Sequence, residues 1–157
     1  MIDLYTFGTP NGRKVSITLE EMELAYTLHT IDIMKDEQFH PDFLKISPNN
    51  KIPAIYDHDA GLSLMESGAI LYYLANKTGK FLPKDPHHHW QALEWLNWQM
   101  GGFGPMLGQA HHFLKFNPGK SAYSESRYGN EVKRLYGVLD HQLRDREYVA
   151  GEYSIAD

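Results

Sequence analysis

The sequence predicts an α/β layer followed by an all-helical region, and three observations carry that expectation. Strand-like and helix-like segments alternate through residues 1–80. Lys80–Pro86 then brings two prolines together, the composition of a linker. Beyond it, residues 85–157 show helical spacing and no strand. The expected domains are therefore 1–80 and 85–157.

Composition bounds what such a chain does. With 157 residues, 42% apolar and 22% charged, it is long enough for two small packed units and too apolar to be disordered. A formal charge of −5, with no basic run, argues against a nucleic-acid partner. There is no cysteine. That excludes a cysteine nucleophile, a disulfide framework and thiolate metal sites, and it fits a reducing compartment. The chain runs straight into the strand-like Ile2–Phe7 without a signal-like segment, and no apolar run approaches the ~20 residues of a membrane span. The expectation is a soluble cytoplasmic protein that does not use a membrane.

Each element follows from local patterning. Met1–Phe7 is a short apolar strand, and Gly8-Thr9-Pro10-Asn11-Gly12 is turn chemistry. Val15, Leu19 and Met22 share a helical face within Arg13–Leu24. Tyr26–Ile33 has a strand's composition. Strand, helix and strand so spaced form a βαβ unit with a parallel pair. Gln38–Ile46 reads as a short helix ended by Pro48. Pro53–Asp57 and Leu62–Met65 read as a hairpin around His58-Asp59-Ala60-Gly61, with Pro53 at a strand start because it cannot donate to a ladder. A helix opens at Ser67, packs on Ile70, Leu71 and Leu74, and closes at Lys77 and Gly79. The order β-α-β-α-β-β-α describes a thioredoxin-like layer with a four-stranded mixed sheet.

In the second region Asp85-Pro86 announces a helix with Trp90, Trp95 and Trp98. These aromatics, with Phe103 and Met106, are expected mostly in the core. Gly101-Gly102-Phe103-Gly104-Pro105 is expected to bend or break that helix. Met106–Leu114 follows as a shorter piece, then a loop at Asn117-Pro118-Gly119. Tyr128, Val132, Leu135, Leu139 and Leu143 mark the buried face of a helix over Ser121–Arg144. Ser154-Ile155-Ala156-Asp157 has the spacing of a capping box, as if another helix were about to start, and suggests a truncated helical domain.

The hairpin and the helix after it put a backbone edge at Ile52 beside a helix start at Glu66-Ser67, an arrangement suited to a short peptide with charged ends. Neither His87-His88-His89 nor any other group has metal-site spacing, so no metal is expected. Gly101-Gly102-x-Gly104 does not follow a strand and is not a nucleotide loop.

Four segments together resemble the glutathione S-transferase superfamily: Thr9-Pro10-Asn11-Gly12, Ser47 to Ala54 with Lys51-Ile52-Pro53, Glu66-Ser67-Gly68-Ala69-Ile70, and Gly104 to Gln109. Within it they are similar to the nu-class group of disulfide-bond oxidoreductases. The resemblance implies a thioredoxin-like N-terminal domain, an all-α C-terminal domain that is incomplete here, a homodimer, and a cis peptide before Pro53. It also implies glutathione as substrate. Glu66 would then pair with its ammonium. Ser67 and the helix N-terminus would hold the γ-glutamyl carboxylate. Ile52, ahead of Pro53, would pair with the cysteinyl backbone. The resemblance puts Lys51 and Gln38 near the glycine carboxylate, and Arg127 in the helical domain at another.

The thiol of a bound glutathione has to be ionised to react. Lowering a pKa near 8.5 by about two units needs roughly 2.7 kcal/mol, which one helix N-terminus and one good hydrogen-bond donor together supply. Thr9 Oγ and the Asn11 amide are the candidate donors, and the choice between them stays open. Alignment on Gly12-Arg13 puts Phe7 where many transferases carry a tyrosine, so that route is closed. Without a protein cysteine, thiol–disulfide exchange has to run between glutathione sulfurs. The expected function is reduction of small disulfides with glutathione or glutathione disulfide bound. The alternatives are conjugation of electrophiles and a non-enzymatic regulatory role on the same fold.

Overall fold

The computed structural model describes residues Met1–Asp157, which divide into two compact units, Met1–Lys80 and Phe81–Asp157. In the first, β1 (Ile2–Thr6), α1 (Pro10–Glu21), β2 (Tyr26–Thr30), α2 (Pro41–Ile46), β3 (Ala54–Asp57), β4 (Leu62–Met65) and α3 (Ser67–Thr78) follow in order. The four strands form one mixed sheet in the order β2-β1-β3-β4. β1 and β2 run parallel, with Thr6 opposite Thr30. β3 runs antiparallel to both β1 and β4, so Tyr5, Ala54 and Met65 lie in line. The expected β-α-β-α-β-β-α layer is present.

Burial explains why these segments settle as they do. Ile2 and Leu4 of β1 and Ile55 of β3 are buried, and they meet Val15 and Leu19 of α1 and Ile70 and Leu74 of α3 as the apolar core of the unit. Lys77 and Gly79 end α3 as expected, Gly79 taking the left-handed conformation at φ 70°. β2 is shorter than expected because Asp32 turns the chain into a 3₁₀ turn, Ile33–Lys35, by accepting from the Met34 N–H at 3.0 Å. The expected helix Gln38–Ile46 is likewise divided. A second 3₁₀ turn, Glu37–Phe39, precedes α2, and Pro41 takes the first-turn position that needs no N–H donor.

The second unit holds α4 (Pro86–Trp98), α5 (Gly104–His111) and α6 (Ala122–Leu143). The glycine-rich stretch does not break the rod between α4 and α5. It forms a π turn over Gln99–Phe103, in which the Gly104 N–H donates to the Gln99 carbonyl. The wider turn absorbs Pro105, which has no N–H to give and would clash in a regular α-helical register. A second π turn, His112–Phe116, replaces the end of the expected helix Met106–Leu114. α6 follows its Ser121 cap close to the expected start, but only Leu135 on its apolar face is fully buried. Trp90 is 67% exposed, against the expectation that it belongs to the core. Trp98 instead stacks on Phe103 at 4.9 Å and meets Trp95 edge-on.

The Ser154–Asp157 turn forms the acid's half of its capping box, while the serine hydroxyl pairs one residue earlier than the box requires. The Asp157 carboxylate accepts from the Ser154 N–H at 2.9 Å, and Ser154 Oγ accepts from the Ala156 N–H at 3.3 Å. No helix in the chain is long and apolar enough to cross a membrane.

Candidate functional site

The strand register gathers several loops at one end of the sheet. β1 and β2 run parallel and end there at Thr6 and Thr30. β3 starts there, since Ala54 lies opposite Tyr5, and β4 ends there, since Met65 lies opposite Ala54. The Thr9–Gly12 turn, the connection carrying Gln38, the Ile52–Pro53 peptide and Glu66-Ser67 therefore all join the sheet at that end. Two helices, α1 and α3, begin beside them, so their positive dipole ends face the same region.

Thr9 caps α1, accepting from the Gly12 N–H with its Oγ1 at 3.2 Å. The Asn11 side chain is exposed on the first turn of α1 and makes no hydrogen bond within the chain. Gly12 is required for this turn. A Cβ there would lie 2.4 Å from the Phe7 carbonyl oxygen and 2.3 Å from Thr6 Oγ1.

Glu66 stands at φ 71°, ψ 114°, a region that side chains rarely adopt, and its carboxylate makes no capping bond to α3. Helix capping therefore does not account for this side chain. Ser67 next to it is buried, and Lys14 Nζ donates to its Oγ at 3.3 Å. Burial lowers the pKa of the Lys14 ammonium below its ordinary value, while the nearby Glu66 charge raises it in part.

The Ile52–Pro53 peptide is cis. Ile52 lies outside the ladder of β3, which begins pairing at Ala54. The loop before it is tied by the buried Ser47, whose Oγ donates to the Lys51 carbonyl at 2.8 Å, while the Lys51 side chain is exposed. The Gln38 Oε1 is buried without a hydrogen-bond partner, and its Nε2 reaches Asp36 at 3.5 Å. Arg127 belongs to the helical unit. It lines an open groove of about 800 Å³ on α6, with Glu131, Arg134, Met106 and Tyr123. No group of His, Asp and Glu side chains there or elsewhere is arranged to hold a metal ion.

Lys14, whose ammonium reaches Ser67, is the neighbour of Glu66-Ser67 that sequence reasoning did not single out. The available signal was its position three residues after Asn11, which sets both on neighbouring surface of one helix.

A parallel β1–β2 pair, an antiparallel β3–β4 pair, a cis-proline at a strand start and two helix N-termini at one sheet end define a thioredoxin-like domain. The profile for the glutathione S-transferase N-terminal domain matches residues 2–76. The disulfide-bond oxidoreductase YfcG of Escherichia coli is 55% identical over 100% of this chain and 76% of its own length. YghU, a disulfide-bond oxidoreductase of the same organism, is 43% identical over 99% of this chain and spans further, with 57% of its length matched. The crystal structure of a glutathione transferase from Pseudomonas putida, with one glutathione disulfide bound per subunit, superposes with a TM-score of 0.94 at 51% identity, over 99% of this chain and 70% of its own. The chain belongs to the glutathione S-transferase family.

Proposed function

We propose that this protein is a glutathione-dependent disulfide reductase that works without a protein thiol. One observation carries the reading. The Thr9–Gly12 turn and the Glu66-Ser67 helix start meet at one sheet end in a chain that has no cysteine. The E. coli relatives named as disulfide-bond oxidoreductases and the bound glutathione disulfide of the P. putida enzyme support it.

In this reading Glu66 takes the ammonium of glutathione, and Ser67 with the α3 N-terminus takes the γ-glutamyl carboxylate. Ile52 pairs with the cysteinyl backbone, with the cis Pro53 shaping that edge. Gln38 and Lys51 face the glycine carboxylate, and Arg127 serves a carboxylate from the helical unit. Thr9 Oγ1 and the Asn11 amide donate to the sulfur, where they and the α1 dipole favour thiolate. That thiolate attacks one sulfur of a small disulfide and releases the other as a thiolate. A second glutathione thiolate then attacks the glutathione sulfur of the mixed disulfide. Two glutathiones lose two electrons to form glutathione disulfide, and the substrate disulfide gains them as two thiols. The nu-class resemblance extends the reading to a homodimer in the cytoplasm.

The test compares two rates: glutathione-dependent reduction of a hydroxyalkyl disulfide and conjugation of glutathione to an aryl chloride. Reduction is expected to be the faster. Faster conjugation would assign the site to electrophiles, and glutathione binding without either turnover would leave a regulatory protein.

A further inference from the structure

We propose that Lys14 is the fixed cation of the ligand-holding site, set against the α-carboxylate of the γ-glutamyl end and selecting ligands that carry a free amino-acid terminus. The inference rests on the glutathione reading and deepens it.

Lys14 lies one turn inside α1, yet its ammonium reaches across to the first residue of α3, donating to Ser67 Oγ at 3.3 Å. A lysine with only a surface role keeps its head in water. This one is half-buried, and it sits where Glu66 offsets its charge. A hydroxyl oxygen that accepts from an ammonium is polarised to donate its own proton more strongly, which suits a carboxylate.

Charge matching supports the same assignment. A γ-glutamyl end carries one ammonium and one carboxylate on a single carbon. Glu66 alone would give the site a negative charge that repels that carboxylate. The α3 dipole supplies only about half a charge in return. Lys14 completes a bipolar pair, one acid and one base at the same helix start, complementary to a zwitterion. Glu66 directly precedes Ser67 at the start of α3, with its backbone strained at φ 71°.

The experiment is a binding titration of wild type, Lys14→Met and Lys14→Arg with two ligands. One is glutathione. The other is γ-aminobutyryl-cysteinylglycine, which keeps the amine and thiol but lacks the α-carboxylate. Methionine preserves the aliphatic stem, and Lys14→Gln takes its place if the methionine variant does not fold. The expected result is that the ratio of the two affinities, glutathione over analogue, falls roughly 10-fold in Lys14→Met and returns to within about 3-fold of wild type in Lys14→Arg. A variant that weakens both ligands equally, or neither, overturns the proposal while leaving the glutathione reading in place. Failure of wild type to bind glutathione overturns both.

Discussion

Lys77 Nζ lies 2.6 Å from Asp57 Oδ2, an ion pair that ties the last turn of α3 to the end of β3. The Asp57 side chain is fully buried, and Tyr73 Oη and the Asp59 N–H donate to it as well. Burial pushes its carboxyl up, but the hydrogen bonds from Lys77, Tyr73 and Asp59 outweigh that and hold it at about 2 against an ordinary 3.8. A buried carboxylate this well bonded locks the helix to the sheet on the side away from the loops.

A pH dependence of stability follows from that carboxylate. Its folded pKa is depressed, so as pH falls the unfolded chain takes up the proton first. The stabilisation is complete above 3.8 and is lost as pH falls through about 2. Urea midpoints measured at about pH 5 and about pH 2.5 should fall more steeply in wild type than in Asp57→Asn. Equal slopes would show that other carboxylates govern acid unfolding.

Lys77→Met removes the cation and leaves Asp57 buried with its hydroxyl and backbone donors alone. The expected cost is about 3 kcal/mol, near the lower end for breaking a buried pair, because Lys77 is itself partly exposed. Chemical denaturation measures it. A double variant with Asp57→Asn should lose less than the two single costs combined, since the pair is removed together.

Thr9→Ala and Asn11→Ala each remove one candidate donor to the glutathione sulfur. The main donor should cost roughly 10- to 100-fold in turnover, the range for one hydrogen bond to a charged group. Thr9→Ala also loses a helix cap worth about 1 kcal/mol of stability, and Thr9→Ser keeps both functions. The thiol pKa of bound glutathione, followed by thiolate absorbance, should rise in the variant that lost the main donor. A pKa unchanged in both variants would contradict the activating role.

Gly12→Ala should disturb the whole Thr9–Gly12 turn. Its Cβ would meet the Phe7 carbonyl oxygen at 2.4 Å, backbone that cannot step aside. A loss of about 1–3 kcal/mol is expected, as for overpacking in a tight site, together with lost activity. Thermal melting and turnover on one preparation check both.

Glu66→Gly should separate stability from binding. Glycine relaxes a backbone that glutamate holds at φ 71°, which is expected to stabilise the fold by about 1 kcal/mol. The same change removes the partner proposed for the glutathione ammonium, so glutathione affinity should fall. A variant that loses stability would show that the glutamate side chain supports the fold rather than the ligand.

Much of this was legible before any coordinates. The apolar spacing of Val15 and Leu19, the prolines at residues 10, 53 and 86, and Gly79 after Lys77 are local signals, and local sterics and hydrogen-bond supply decide them. So is the Ser154–Asp157 turn, whose acid accepts from the Ser154 N–H as its spacing suggests. They set the order of elements and pointed to Glu66-Ser67 as a helix start. Helix breaks were less legible. Gly101-Gly102 reads as an interruption, but the rod continues because a π turn satisfies the Gly104 N–H without requiring one from Pro105.

What only the tertiary structure decided are the relations between elements. Lys14 and Ser67 are 53 residues apart, and no local pattern places one against the other. Asp57, Tyr73 and Lys77 meet for the same reason, through the packing of α3 on the sheet. Burial of an ammonium or a carboxylate is a property of what surrounds it, and those surroundings come from distant parts of the chain. The sequence by itself determined which elements are present and in what order; packing decided that a lysine is held at the start of α3 against Ser67.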